Sequence, residues 1–314
     1  MNTSTQLKAL IRNLSKEKNV QAEIILRNFM LERLLERISL SPFHDKYIAR
    51  LIKENMSDQM TDMYRIEDIL NHVKKVDINS YDMIGIGFPS YGFNPPAIVV
   101  DFIKKLCQVV DKKVFLFLTC AGPCYLNNVA FFRIKNILRR KGYNIIYEKV
   151  ICMPANIFIK HEDEILKKIF DAAISKIEIM AKDISNNIVK VRNDRFFPYL
   201  FQWPLIIIER ISIKSIPIDF TVGKECNRCM RCIQVCPRKN IKFKGKIKHG
   251  LKCEGCYRCV YSCPQKAIKG RLNNIAIHKE GYNIEALLRK TKDIKTPTQP
   301  LKGKYKSIAS YFDS

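Results

Sequence analysis

Apolar residues recur at helical spacing through the first 60 positions. Leu7, Leu10, Ile11 and Leu14 share one face, as do Leu26, Met30, Leu34 and Ile38. Ser41-Pro42 interrupts the pattern, and Ile48, Leu51 and Ile52 restart it as a further short helix. From Tyr64 the character changes. Ile84, Ile86 and Phe88, then Val114 to Leu118, then Tyr143 to Val150, form three apolar runs of strand length. Runs this apolar fit strands covered on both faces, as in a parallel sheet. Helix-compatible segments near 96–107 and 127–140 separate them, and Gly142 after Arg139-Arg140-Lys141 marks a helix stop. Such alternation predicts a doubly wound α/β domain.

The chain therefore divides into a helical N-terminal region (1–62), an α/β domain (63–190), a connector (191–221), a small cysteine-rich domain (222–275) and a C-terminal extension (276–314). Residues 163–187 read as one long amphipathic helix. The connector is aromatic and apolar and carries Pro198, Trp203, Pro204 and Pro217, which make it a poor spanning helix. Its expected role is a docking surface between the flanking domains. Peripheral membrane contact by 196–220 is the alternative, because aromatics there mix with Arg and Lys. Ile241 and Ile268 should pack the small domain. The Lys-, Pro- and Ser-rich tail from Thr291 is expected to be mobile.

Chemistry enters with the cysteines. Cys226, Cys229, Cys232 and Cys236, closed by Pro237, repeat as Cys253, Cys256, Cys259 and Cys263, closed by Pro264. Both runs read C-x2-C-x2-C-x3-C-P, the thiolate spacing of bacterial [4Fe–4S] ferredoxins. Three cysteines on a tight loop cap three irons of one cubane, and the fourth turns to the other cluster. The spacing thus assigns one cluster to Cys226, Cys229, Cys232 and Cys263, and the second to Cys253, Cys256, Cys259 and Cys236. Zinc would not need the crossed fourth ligand. A disulfide framework would call for a secretory segment, and the N-terminus shows no signal-peptide core.

The 314 residues, 47% of them hydrophobic, suffice for two domains with buried cores. No run approaches the ~18 consecutive apolar residues of a membrane span, and the expected compartment is the cytoplasm, where thiols stay reduced. A formal charge of +25, from 55 basic and 30 acidic residues, is spread along the chain. Dispersed charge of this kind speaks to solubility and to docking with an acidic redox protein. No nucleic-acid-binding motif accompanies it.

Residues 64–290 resemble the flavodoxin–ferredoxin fusion proteins of anaerobes, sometimes called ferrodoxins. The resemblance rests on the run from Tyr81 through Gly85, Gly87 and Pro89 to Pro96, on Lys113 to Pro123, and on the cysteine runs. It implies a flavodoxin-like sheet followed by a small α+β ferredoxin domain. It further implies an FMN ring between two loops, with Tyr91, Phe93 and Asn94 as one wall and Thr119, Ala121 and Gly122 as the other. One part of the pattern is missing. No strand precedes Thr3 and no glycine occurs within residues 1–84, so the first strand and its phosphate-binding loop are absent or replaced by helices. Thr3, Ser4 and Thr5 are the nearest remnant of that loop. FMN is accordingly expected to bind weakly or not at all.

Cys120 and Cys124 flank Ala121-Gly122-Pro123 and could form a redox-active pair or lie buried and inert. Cys107 and Cys152 are expected to pack in apolar elements. The five histidines (His44, His72, His161, His249, His278) lack ligand spacing and are expected at the surface. The composite expectation is an electron-transfer protein passing single electrons through two clusters to a redox partner. Its rivals are an FMN-dependent oxidoreductase and a docking subunit of a redox complex.

Overall fold

A computed structural model describes residues 44–56, 61–192, 196–297 and 305–312, which fall in one compact unit. The helices expected around Leu7–Leu14 and Leu26–Ile38, and the Thr3–Thr5 loop, lie outside the described residues.

Three parallel strands, β1 (Met83–Pro89), β2 (Lys112–Cys120) and β3 (Tyr143–Cys152), form one sheet in the order β1-β2-β3. Each apolar run of the sequence is one of these strands. Helix α1 (His44–Asn55) and the short α2 (Ile66–Leu70) precede them; α3 (Ala97–Lys105) joins β1 to β2, and α4 (Cys124–Asn127) with α5 (Val129–Arg140) joins β2 to β3. After β3 comes α6 (Asp163–Ser185).

The period of two along β2 separates two cores. Val114, Leu116 and Leu118 face α3 and α5, while Phe115 and Phe117 face α1, α6 and α10 (Ile284–Thr291). This gives three layers, helices on each face of the sheet. The glycines of β1 serve the second face. A Cβ on Gly85 would sit 2.2 Å from Phe115 Cζ, and one on Gly87 would sit 1.9 Å from Phe117 Cζ. The rings of β2 fill the volume that side chains on β1 would otherwise take.

One ion pair is sealed in this architecture. Lys135 Nζ on α5 lies 2.7 Å from Glu148 Oε2 on β3, with side chains 2% and 3% exposed. The backbone closes the pair: Arg192 N–H donates to Glu148 Oε1 at 3.0 Å, and Lys135 Nζ donates to Arg192 O at 3.2 Å. Removing one partner of a buried pair strands the other's charge, at a cost of about 3–5 kcal/mol. Lys135→Ala should therefore lower stability by that order in chemical denaturation, whereas Lys135→Met with Glu148→Leu together should recover most of the loss.

Two segments in the second half of the chain take regular structure. The connector is a 24-residue helix, α7 (Phe196–Asp219), with Pro204 and Pro217 inside it. A proline removes only its own N–H bond and displaces the carbonyl one turn earlier, and the remaining ladder carries the helix. No helix among the described residues is long and apolar enough to cross a membrane. Its later half does dock: Ile213 and Ile216 lie over Gly255. Ile208, Ile211 and Ile218 point outward. The tail, expected to be mobile, instead returns as α11 (Lys306–Phe312), preceded by Tyr305. Tyr305, Ile308 and Tyr311 are buried in the first core. Their i, i+3, i+6 spacing gives one apolar helical face within a Lys- and Ser-rich background.

Candidate metal centre

The cysteine runs lie between α7 and α10, in a segment framed by two small antiparallel ladders. Strand β4 (Phe220–Val222) pairs with β7 (Ile268–Gly270), and β5 (Ile241–Lys244) pairs with β6 (Lys246–His249) across Gly245, whose φ of +69° suits the turn. Helices α8 (Arg231–Gln234) and α9 (Arg258–Tyr261) carry the third cysteine of each run. Ile241, Ile247, Ile268, Phe220 and Tyr257 form the core beneath them.

The two runs have the same backbone, displaced by 27 positions along the chain. Met230 and Tyr257 both take left-handed backbone before their helices, at φ 60° and 56°, and Lys239 and Lys266 share φ 48°. Arg228 (φ 57°) stands where the second run has Gly255 (φ 65°). The first run thus holds a side-chain-bearing residue in a conformation that costs roughly 1–2 kcal/mol outside glycine.

Two cavities open in this segment, and each is bordered by four cysteines. Cys226, Cys229, Cys232 and Cys263 line one; Cys253, Cys256, Cys259 and Cys236 line the other. In each, the fourth thiol comes from the opposite run, which is the grouping assigned from the spacing. Backbone donors already point at sulfur. Asn240 N–H donates to Cys236 Sγ and Ala267 N–H to Cys263 Sγ, both at 3.3 Å, and Gly255 N–H donates to Cys253 Sγ at 3.4 Å. Among the described residues no three His, Cys, Asp or Glu side chains are gathered so as to hold a single metal ion. The donor set, four soft thiolates per cavity with N–H groups aimed at sulfur, fits a [4Fe–4S] cluster. Burial pushes the Cys256 thiol up to about 12 and raises Cys253, Cys259 and Cys232 as well. Ligation of a cluster would therefore have to expel protons.

No protein-family model matches this chain, and no curated protein matches it.

The two cysteine sets have different surroundings. The first is outward: Cys229 is exposed, with exposed Lys224, Arg228 and Arg231 around it. The second faces the α/β layers. Glu254, next to Cys253, accepts the N–H groups of Ala97 and Ile98 at 2.9 Å each and so caps α3 from the cysteine-rich segment. Burial raises the Glu254 carboxyl above the usual range, despite those N–H groups and Arg238. Arg238 bridges Asp101 (2.6 Å) and Glu254 (3.3 Å). Arg258 Nη1 meets Glu67 Oε1 of α2 at 2.5 Å. Burial, the largest influence, would raise the Glu67 carboxyl, but Arg258, a backbone hydrogen bond and Arg65 together outweigh it and the net shift is downward. Tyr261 Oη donates to Asn156 O at 2.5 Å and Tyr282 Oη to Pro154 O at 2.8 Å, closing the same junction beyond β3. None of these partners carried a signal in the sequence, because each pair is far apart along the chain.

The six residues proposed to face a flavin ring sit at the carboxyl ends of β1 and β2. Ser90 N–H donates to Thr119 O at 2.7 Å, so the two walls adjoin. Tyr91 and Asn94 close a tight turn on each other through Gly92 (φ 51°) and Phe93 (φ 61°). The hydroxyls of Ser90 and Thr119 are buried there without a hydrogen-bond partner among the described residues. Gly122, however, lies under α11. A Cβ on Gly122 would sit 2.2 Å from Ile308 Cγ2. The strand order also runs one way across the described sheet, so the reversal at which such sheets bind ligands does not occur among the described residues. With α11 in this place, the Gly122 end of the second wall is covered by Ile308.

Cys120 Sγ donates to Cys124 Sγ at 3.6 Å, and both are buried. Cys152 is buried as expected, whereas Cys107 is exposed just past α3. His161, expected at the surface, is buried: it stacks on Tyr305 at 5.7 Å, and Ala155 N–H donates to its Nε2 at 3.1 Å.

Proposed function

We propose that this chain is an iron–sulfur electron carrier. Its two cysteine sets each hold a [4Fe–4S] cluster in a ferredoxin-type domain docked on a flavodoxin-like α/β domain. The observation that carries this reading is the grouping of four thiols around each cavity, three from one run and one from the other. A bound cubane supplies a one-electron couple. The chain's own groups do the rest. The thiolates hold the cluster, and the N–H groups of Asn240, Ala267 and Gly255 on sulfur favour its reduced, more negative state. Ile247 and Ile268 at the first cavity, and Phe220, Ile241 and Tyr257 at the second, keep water from the clusters' inner sides.

The difference in surroundings gives the carrier a direction. The outward set, near Cys229 and the exposed Lys224, Arg228 and Arg231, is the port for a protein partner, and its cations suit an acidic one. The inward set, tied to α2 and α3 through Arg258 and Glu254, is the internal station. Stepwise anaerobic reduction of the full chain should consume two electrons, one per cluster, with a cluster EPR signal appearing on reduction. Uptake of no electrons, or an uptake without that signal, would contradict the reading.

A further inference from the structure

Away from the cluster-type cysteines, three thiols converge at the carboxyl ends of β2 and β3. Cys120 and Cys152 are register partners on neighbouring strands, and Cys124 opens α4 beside them. Cys120 Sγ and Cys124 Sγ stand 3.6 Å apart, and Cys152 lies close enough to Cys124 to interact with it electrostatically. Helix α11 covers the group: Ile308 lies against Gly122, between the first two cysteines, and Tyr311 sits over all three. Lys176 Nζ is 4.7 Å from the Tyr311 ring centroid and interacts electrostatically with Cys124.

We propose that Cys120 and Cys124 are a reversible dithiol–disulfide couple, covered by α11, that exchanges two electrons with low-molecular-mass or protein disulfides. The geometry asks for little movement. A disulfide needs its sulfurs at about 2.05 Å and its Cβ atoms near 3.8 Å, so closure draws the sulfurs together by roughly 1.5 Å. The chemistry balances as two exchange steps. The thiolate of one cysteine attacks an incoming disulfide and releases one thiolate, which takes up a proton. The second cysteine, deprotonated in turn, displaces the other half. Two thiols are oxidised, one external disulfide is reduced to two thiols, and the protons pass from the protein to those products. The contact with Cys124, and then burial, push the Cys120 thiol well up; Cys120 lowers the Cys124 thiol, but Cys152 and burial together raise it, so the closed state resists exchange and α11 must open for reaction. The couple does not depend on the clusters, and either can be present without the other.

The test uses the full chain, purified anaerobically and equilibrated in glutathione buffers from reducing to oxidising ratios. It is then acid-quenched, denatured, alkylated with iodoacetamide and digested with trypsin. Cys120 and Cys124 share one tryptic peptide, 114–133, while Cys152 falls in another, 150–160. The expected result is that peptide 114–133 changes from doubly alkylated to unalkylated and two hydrogens lighter, at a ratio unaltered by Cys152→Ser. Ile308→Ala should speed this change about tenfold, the factor for a cover weakened by a single decade in its opening equilibrium. Double alkylation at every ratio in both proteins would overturn the proposal, as would a bond from Cys124 to Cys152. An unchanged rate in Ile308→Ala would overturn the covering role of α11.

Discussion

Cys236→Ser should abolish the cluster of the second run while sparing that of the first, in whose sequence it stands. Cys236 borders the cavity of Cys253, Cys256 and Cys259, and Asn240 N–H donates to its sulfur there. Serine keeps the shape of the side chain but offers a hard, weakly acidic hydroxyl where a soft thiolate is needed. Cys263→Ser should do the converse, since Cys263 borders the cavity of Cys226, Cys229 and Cys232. The check is a set of four variants read by EPR after reduction. Cys236→Ser and Cys253→Ser should lose the same signal, and Cys263→Ser and Cys226→Ser the other. If Cys236→Ser instead shares its loss with Cys226→Ser, ligation is not crossed.

Stripping the iron should unfold residues 220–270 and leave the three-layer α/β part folded. The ladders of the cysteine-rich segment are only three and four residue pairs long. Its core of Phe220, Ile241, Ile247, Tyr257, Val260 and Ile268 is small, and small cores need a staple. Metal binding supplies on the order of 10 kcal/mol to domains of this kind. The sheet, by contrast, has a core on each face that includes no cluster-type cysteine. Hydrogen exchange after anaerobic chelation should show lost protection in 220–270 and retained protection in β2 and β3. Unchanged exchange in 220–270 would remove the metal from the account of that segment's stability.

What could be read in the sequence was local. The cysteine groups follow from spacing within a few residues, and the strands from continuous apolar runs. Both survive without knowing what lies across the fold. Gly85 and Gly87 needed the register of β1 on β2, because only that register sets them against the rings of Phe115 and Phe117. Glu254 reads as one more acid between cysteines until the fold brings α3 to it. The extent of α7 was not read from the sequence, because its prolines carry a local penalty that the rest of the ladder absorbs. Helix α11 was obscured by composition: Tyr305, Ile308 and Tyr311 are three apolar residues in a charged tail, and their burial against Gly122 and the thiols decides the outcome.

The central claim is that the eight cysteines hold two cubanes, and the most direct measurement is the count of iron and acid-labile sulfide in anaerobically purified full-length chain. Two [4Fe–4S] clusters predict about eight of each per chain, with zinc near zero. About two zinc ions per chain with no sulfide would contradict it.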